Sequence, residues 1–240
     1  MTTLVRITVT LIMGLLLSSC AFDFNFSNGK RGNGKVVEDS REVNDNFTAV
    51  VASEGIDVYV TQSNNFSIDV EADENVIDLI GTDIKNGRLR IHAIENIGRA
   101  TKKVYVSLPD ITSLSSSSGA DLIVKSKIEA DKITLSASSG SDLKVVLTAD
   151  EVEADASSGA DIRISGETNV LYADASSGSD IKARDLLAKT CRAGASSGAD
   201  IRINVSESLV ANASSGADIS YTGNASVQKK KSASGSVRKY

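Results

Sequence analysis

Polar and apolar residues alternate along most of the chain, and in the second half they do so in a frame that keeps returning. Its anchor is Ala-Ser-Ser-Gly-Ala/Ser-Asp-Ile/Leu, flanked on both sides by apolar residues at every second position. Three residues before the glycines lie Ala137, Ala156, Ala175, Ala195 and Ala213, and two residues earlier lie Leu135, Ala154, Ala173, Ala193 and Ala211. Ile133, Val152, Leu171, Cys191 and Leu209 continue the series, while Leu122, Leu143, Ile162, Ile181, Ile201 and Ile219 follow the glycines. Period two on either side of a fixed turn predicts two strands per repeat, each with one buried face. The glycines are Gly119, Gly140, Gly159, Gly178, Gly198 and Gly216, with a worn copy at Gly235, so successive gaps are 21, 19, 19, 20, 18 and 19 residues. This spacing matches no helical repeat. It predicts an all-β, single-domain parallel β-helix or β-solenoid with coils of about 19 residues. Its hand should be right, as for nearly all crossovers between parallel strands.

Upstream the pattern is strand-like without being repetitive. Segments 47–52, 56–61, 66–71, 88–93 and 103–108 alternate or are rich in β-branched residues, and Asn86-Gly87 is a favoured hairpin turn. Asp73 could cap a short helix over 74–79, which would cover the open edge of the first coil. The expected organisation is an N-terminal β region with a cap over 36–110, then regular repeats over 111–240 ending in a polar cap. In that last piece, alignment on Gly235 places Gln228 and Lys230 where earlier repeats are apolar. Charge on an edge strand discourages pairing with another chain, so this reads as a cap; the rival reading of Lys229-Lys230-Lys231 is a basic patch for phosphate or lipopolysaccharide.

The first twenty residues change the picture. Arg6 precedes an apolar run from Ile7 to Leu17, too short to span a bilayer. Leu17-Ser18-Ser19-Cys20 then resembles the lipobox of bacterial lipoproteins, which implies a signal peptide over 1–19 and lipidation of Cys20. Several acyl chains on one residue anchor a protein stably to a membrane. Ala21 lacks the Asp of the simple inner-membrane retention signal, which favours an outer-membrane lipoprotein, periplasmic or surface-exposed. Residues 20–35, rich in Gly and Asn, read as a flexible tether; Phe22, Phe24 and Phe26 alternate within it and could instead meet the membrane interface or begin a strand. With Cys20 carrying lipid, Cys191 has no disulfide partner and reads as a buried, inert thiol.

Composition narrows the core. The chain has 18 Gly, one Pro, no Trp and ten Phe plus Tyr, so its interior must be built from small and β-branched side chains. A net charge of −5 disfavours nucleic acid as a partner.

Several blocks together are similar to one bacterial family. They are Gly55-Ile56-Asp57-Val58-Tyr59-Val60-Thr61, Ile68-Asp69-Val70-Glu71-Ala72-Asp73-Glu74-Asn75, Asn86-Gly87-Arg88-Leu89-Arg90-Ile91, Val104-Tyr105-Val106, Leu108-Pro109 and the Ser-Gly-Ala-Asp repeats. Over residues 40–225 the chain resembles the family called putative auto-transporter adhesin, head GIN domain. The resemblance implies a β-solenoid in a cell-surface or periplasmic setting of Bacteroidetes-like bacteria, and it brings no catalytic residue. This chain has Gly55-Ile56-Asp57 where the family name has Gly-Ile-Asn.

Within one repeat, Gly should turn the corner at positive φ and the preceding serines could satisfy backbone groups there. The ligand-like feature is the acidic row Asp121, Asp142, Asp161, Asp180, Asp200 and Asp218. Stacked carboxylates repel, and either calcium or local cations could offset this. Lys144, Arg163, Lys182 and Arg202 each follow an Asp by two residues on the same face, which favours a structural ladder; no cofactor or metal is expected beyond that calcium alternative.

Nothing assembles into catalysis. His92, the single histidine, sits in a strand pattern with no motif nearby and reads as part of a solvated face. Three functions remain: a surface binding or adhesin-like module for a glycan or protein; a structural envelope protein that self-assembles; and a polysaccharide-active β-helix enzyme, which would need longer loops than these even repeats supply.

Overall fold

A computed structural model of the chain describes residues 29–229 and 234–240. The described residues are nearly all strand, with no α-helix, and form a β-solenoid of about six turns. Sixteen strands share one hydrogen-bonded sheet: β1 (Val36–Arg41), β2 (Ala49–Ala52), β3 (Asp57–Gln62), β4 (Ser67–Asp73), β5 (Ile80–Lys85), β6 (Arg88–Ala93), β7 (Lys102–Leu108), β8 (Ser113–Ser116), β9 (Asp121–Ala137), β10 (Asp142–Ala156), β11 (Asp161–Ala175), β12 (Asp180–Ala195), β13 (Asp200–Ala213), β14 (Asp218–Thr222), β15 (Ser226–Lys229) and β16 (Ser236–Lys239).

Strands β9 to β13 each make a whole coil. The two strands expected per repeat are the two arms of one long strand, which bends without breaking at the edge opposite the Ser-Ser-Gly corner. Successive coils pair in parallel with like on like: Asp142 on Asp121 and Asp161, Leu143 on Leu122 and Ile162, Ala156 on Ala137 and Ala175. Every apolar position assigned from the alternation is buried. The core is therefore a set of stacked rows, aliphatic in the first arm and mostly alanine beside the corner, as a chain poor in aromatics requires.

Coil length varies only at the bend. The strands of the five full coils contain 17, 15, 15, 16 and 14 residues, each four shorter than its glycine gap, so the corner is constant. Register is continuous between the two equal coils, β10 and β11, and shifts between unequal ones, after Lys144, Arg163 and Ala183. These irregularities are bulges that absorb extra residues while the arms stay in phase.

The N-terminal region is the same solenoid, entered early. β2 and β3 flank a corner at Glu54-Gly55, both with positive φ, and stack on β8 and β9. Between β3 and β8 the chain folds back over the end of the stack: β4 runs antiparallel to both β7 and β1, and β5 and β6 form an antiparallel hairpin through Asn86-Gly87. The expected helix over 74–79 is only a single 3-10 turn, Ile77–Leu79, without a side-chain cap. Asp73 is used elsewhere. It is buried and accepts hydrogen bonds from the Gly34 and Thr101 amides, both at 2.6 Å. The cap of this end is thus made of antiparallel strands, which leave no helix to be nucleated.

The expected tether over 20–35 also needs correction where it is described. Lys30 bridges Ile97 as a strand would, Asn75 bonds to Asn33 and Arg31, and Lys35 pairs with Glu74 at 2.6 Å. Residues 29–35 are fastened to the cap by the same Asp73-Glu74-Asn75 block. Cys20, the rest of the expected signal and tether, and Phe22, Phe24 and Phe26 lie outside the described residues.

At the other end the glycine alignment is one residue out. Val227 stacks on inward Leu209 and Gln228 on outward Val210, so Gln228 does not enter the core; Lys230 lies outside the described residues. Lys229 takes the inward place above Ala211 and donates from Nζ to the Val237 carbonyl at 2.6 Å. Its stem crosses the open end while its charge reaches the rim.

Candidate functional site

The corner that dominates the sequence is built from backbone. In each copy the second serine as well as the glycine has positive φ, for instance Ser158 at 53° and Gly159 at 72°. Two successive left-handed residues mark the type I′ turn, with Ser-Gly where Asn-Gly is commonest. The glycine amides donate to the serine carbonyls of the next coil, as Gly159 does to Ser177 and Gly178 to Ser197, both at 3.1 Å. The ladder runs through the turn. Hydroxyls before the glycine are used at one corner, where Ser234 accepts from the Ser215 amide; in two others the serine after the glycine, buried Ser141 and Ser179, donates to the Ser116 and Ala156 carbonyls.

Asp121, Asp142, Asp161, Asp180, Asp200 and Asp218 stack in register, and Asp57 on β3 extends the row beside Asp121. Asp57 escaped the sequence reading, although Gly55-Ile56-Asp57-Val58 has the same offsets as Gly119-Ala120-Asp121-Leu122. From Asp161 to Asp200 cations interleave with the row. Lys182 bridges Asp161 at 2.7 Å and Asp180 at 3.2 Å, and Arg202 holds Asp200 at 3.1 Å. Among the described residues no group of three or more His, Cys, Asp or Glu side chains is arranged to hold a metal ion. Asp57, Asp121 and Asp142 form no ion pair within that set, and burial together with the Asp142 and Asp57 charges raises the pKa of Asp121. Along the row Asp161, Asp180 and Asp200 are therefore charge-paired, whereas Asp57, Asp121, Asp142 and Asp218 form no ion pair among the described residues.

Two grooves run across the coils. The first, about 560 Å3, follows the bend and is lined by Glu129, Asp131, Asp150, Glu167 and Glu207 around half-exposed Leu187. The second, about 510 Å3, lies on the other arm beside the corner, along the stacked positions Ser136, Asp155, Asp174, Gly194 and Asn212. Partial desolvation raises the pKa of both Asp155 and Asp174, and their mutual proximity adds to the shift at Asp155. Both grooves are open and repeat one position from coil to coil. Neither contains two carboxyls in contrasting environments of the kind acid-base hydrolysis uses.

His92 lies on the outward face of β6 with exposed Arg88 and Arg90, as expected, but is itself half-buried. Its ring lies over Gly81, where a Cβ would strike it, and its Nε2 meets Asp83 at 2.7 Å. This diagonal pair closes the β5–β6 hairpin. Cys191 is buried in the row between Leu171 and Leu209, and burial pushes its thiol up to about 12, so it is inert at neutral pH.

The model of the family described as "Putative auto-transporter adhesin, head GIN domain" matches residues 46–225. No curated protein matches significantly. Among solved structures, one described as a putative adhesin from Bacteroides fragilis superposes with a TM-score of 0.81 at 18% identity, over 88% of this chain and 100% of that one. A putative adhesin from Parabacteroides merdae gives 0.73 at 19% identity, and a putative lipid binding protein from Parabacteroides distasonis 0.71 at 18%; each covers 88% of this chain and 98% of the other. At these identities the likeness is one of fold.

Proposed function

This chain belongs to the family of putative auto-transporter adhesins with a head GIN domain, and from that premise we propose that it is a non-enzymatic binding module of the bacterial envelope that engages an extended partner along its coils. The observation that carries this reading is the shape of its grooves. Each crosses several coils and is lined by equivalent positions of successive repeats, so an occupant must extend along the solenoid axis rather than enter a closed cavity. The body suits such a role, because coil-to-coil hydrogen bonds continue through the arms and the corners.

In this reading residues 1–19 are a signal peptide and Cys20 carries the lipid of an outer-membrane lipoprotein. Residues 29–35 are fastened to the N-terminal cap, which supports a reading in which an anchor at Cys20 would serve that end of the solenoid. The lipid-binding description of one structural neighbour is compatible with membrane proximity and assigns no lipid site here. Nucleic acid is not a partner in this reading, in line with the net charge of −5.

Protease digestion of intact cells tests the proposal. We expect the body to be cleaved without opening the outer membrane, and Cys20→Ser to abolish incorporation of labelled fatty acid. A body shielded until the membrane is breached overturns surface binding, and label retained in Cys20→Ser overturns the anchor.

A further inference from the structure

One patch breaks the regularity of the first arm. Two places along from the acidic row runs a second outward row, in which Tyr59, Ile123, Lys144 and Arg163 follow Asp57, Asp121, Asp142 and Asp161, and Tyr105, two residues after Lys103, stacks beside Tyr59. Tyr59 and Tyr105 stack on each other from neighbouring strands β3 and β7, ring centroids 5.2 Å apart and planes 20° from parallel. They are held there. The Tyr105 hydroxyl donates to Glu71 at 2.9 Å, Glu71 is bridged by Lys103 at 2.8 Å, and Lys125 Nζ stands 4.9 Å from the Tyr59 ring centre. Next to the rings the smaller Ile123 leaves a hollow of about 210 Å3, edged by Asp121, Asp142, Lys144 and Arg163.

Charge distinguishes this hollow from the rest of the row. Beyond it Asp161, Asp180 and Asp200 already have cations, and Asp218 alone of the later members has no ion pair among the described residues. Around it Asp57, Asp121 and Asp142 face Lys102, Lys125 and Lys144, three charges of each sign, and none of the six forms an ion pair within 4 Å among the described residues. A surface balanced in this way attracts neither a polyanion nor a polycation, yet it offers free acceptors and donors beside a rigid aromatic face. An uncharged polyhydroxylated ring meets both demands: its C–H face covers the tyrosines and its hydroxyls bond to carboxylates and ammonium groups.

We propose that Tyr59, Tyr105 and the hollow at Ile123 form a binding site for a neutral glycan, with a pyranose ring on the tyrosine pair and hydroxyls of the neighbouring sugar donated to Asp121 and Asp142. The site is separate from both grooves and would stand or fall independently of them. Strand spacing near 4.8 Å sets the step from ring to hollow, so a ligand lying across the strands passes from one to the other along its chain.

The test uses the full chain in detergent micelles against immobilised neutral gluco-, manno- and galacto-oligosaccharides, with polygalacturonate as the charged comparison. Binding should be to a neutral oligosaccharide, insensitive to salt. Tyr59→Ala and Tyr105→Ala should each weaken it at least about tenfold, while Tyr105→Phe, which keeps the ring, stays within about threefold. Tyr172→Ala, on the other arm, should leave it unchanged. Ile123→Arg, which fills the hollow from an outward position, should abolish binding without lowering the melting temperature, so a folding defect in a tyrosine variant cannot decide the matter. No neutral ligand at millimolar sugar, binding of polygalacturonate alone, or full binding by the tyrosine variants would each overturn the site. Cleavage of the body on intact cells in the same experiments would leave the envelope-module reading standing; its failure alongside glycan binding would leave the site standing.

Discussion

At the scale of the residue, identical amino acids in this chain answer different constraints. Gly159 has φ of 72° with open space where a Cβ would be, whereas Gly166, at φ of 115° in the bend, lies against the Leu147 backbone. Gly159→Ala should therefore cost only the left-handed backbone preference, about 1–2 kcal/mol. Gly166→Ala adds a clash with backbone that cannot swing aside and should cost about 3 kcal/mol or more, a contrast that urea unfolding of the two variants measures. The groove acids Asp155 and Asp174, exposed at the surface yet partly desolvated by their neighbours, make a second case. Desolvation raises their pKa in the folded protein, so the folded state holds protons that the unfolded chain has released, and stability falls as pH climbs from the ordinary aspartate range through the raised one. Asp155→Asn removes that penalty. It should raise the urea midpoint at about pH 7 and leave it nearly unchanged at about pH 3, where Asp155 is largely protonated in both the folded and the unfolded chain; an equal gain at both values would mean that charge is not the cause.

At the scale of the element, the coil divides into a corner that cannot vary and a bend that already does. An added residue between Ile164 and Ser165 enters the bulged place where neighbouring coils, which differ by up to two residues, shift register, and should cost at most about 1–2 kcal/mol because a bulge absorbs it. The same insertion between Ser158 and Gly159 breaks the amide-to-carbonyl ladder and moves the whole following arm by one residue, turning Ile162 outward; it should cost several times as much, or prevent folding. Thermal melts of the two variants compare them directly. This division explains what could be read from sequence. Rows such as Val152, Leu171, Cys191 and Leu209 were legible because burial enforces period two in every copy. The acidic row was legible because its members share an offset from glycine, yet Asp57 was missed because Glu54-Gly55 replaces Ser-Gly at that corner. Asp73 was misread because a carboxylate before a short apolar run looks the same whether it caps a helix or binds distant amides, and its partners Gly34 and Thr101 lie 39 and 28 residues away. The hollow beside Tyr59 left no local signal, since only stacking of β7, β3 and β9 brings Tyr105, Tyr59 and Ile123 together.

At the scale of the whole molecule, a solenoid is limited by its ends. Each coil buries its apolar rows against the next, and the last coil must close the stack without offering a new ladder. Here β15 and β16 are short, four residues each, and the inward place above Ala211 is taken by Lys229 rather than by alanine. Its aliphatic stem covers the interior and its ammonium reaches the Val237 carbonyl of the other arm and stands 5.9 Å from the Tyr221 ring centre. At the opposite end antiparallel β1 and β5 form the sheet edges, so a second copy arriving in parallel register meets strands running the wrong way. Removing residues 223–240 leaves β13 and β14 as edges and uncovers Leu209, Ala211, Ile219 and Tyr221, all buried in the intact chain. The truncated protein should associate with increasing concentration by light scattering while keeping the strand content of its remaining coils. Lys229→Leu should show a weaker form of the same behaviour, because it makes the end apolar but leaves β15 and β16 in place. If the truncated chain unfolds outright without associating, the last coil is a source of stability to the stack more than a barrier to growth; if both variants behave as the intact chain does at every concentration, the antiparallel end alone is enough to stop coils from joining.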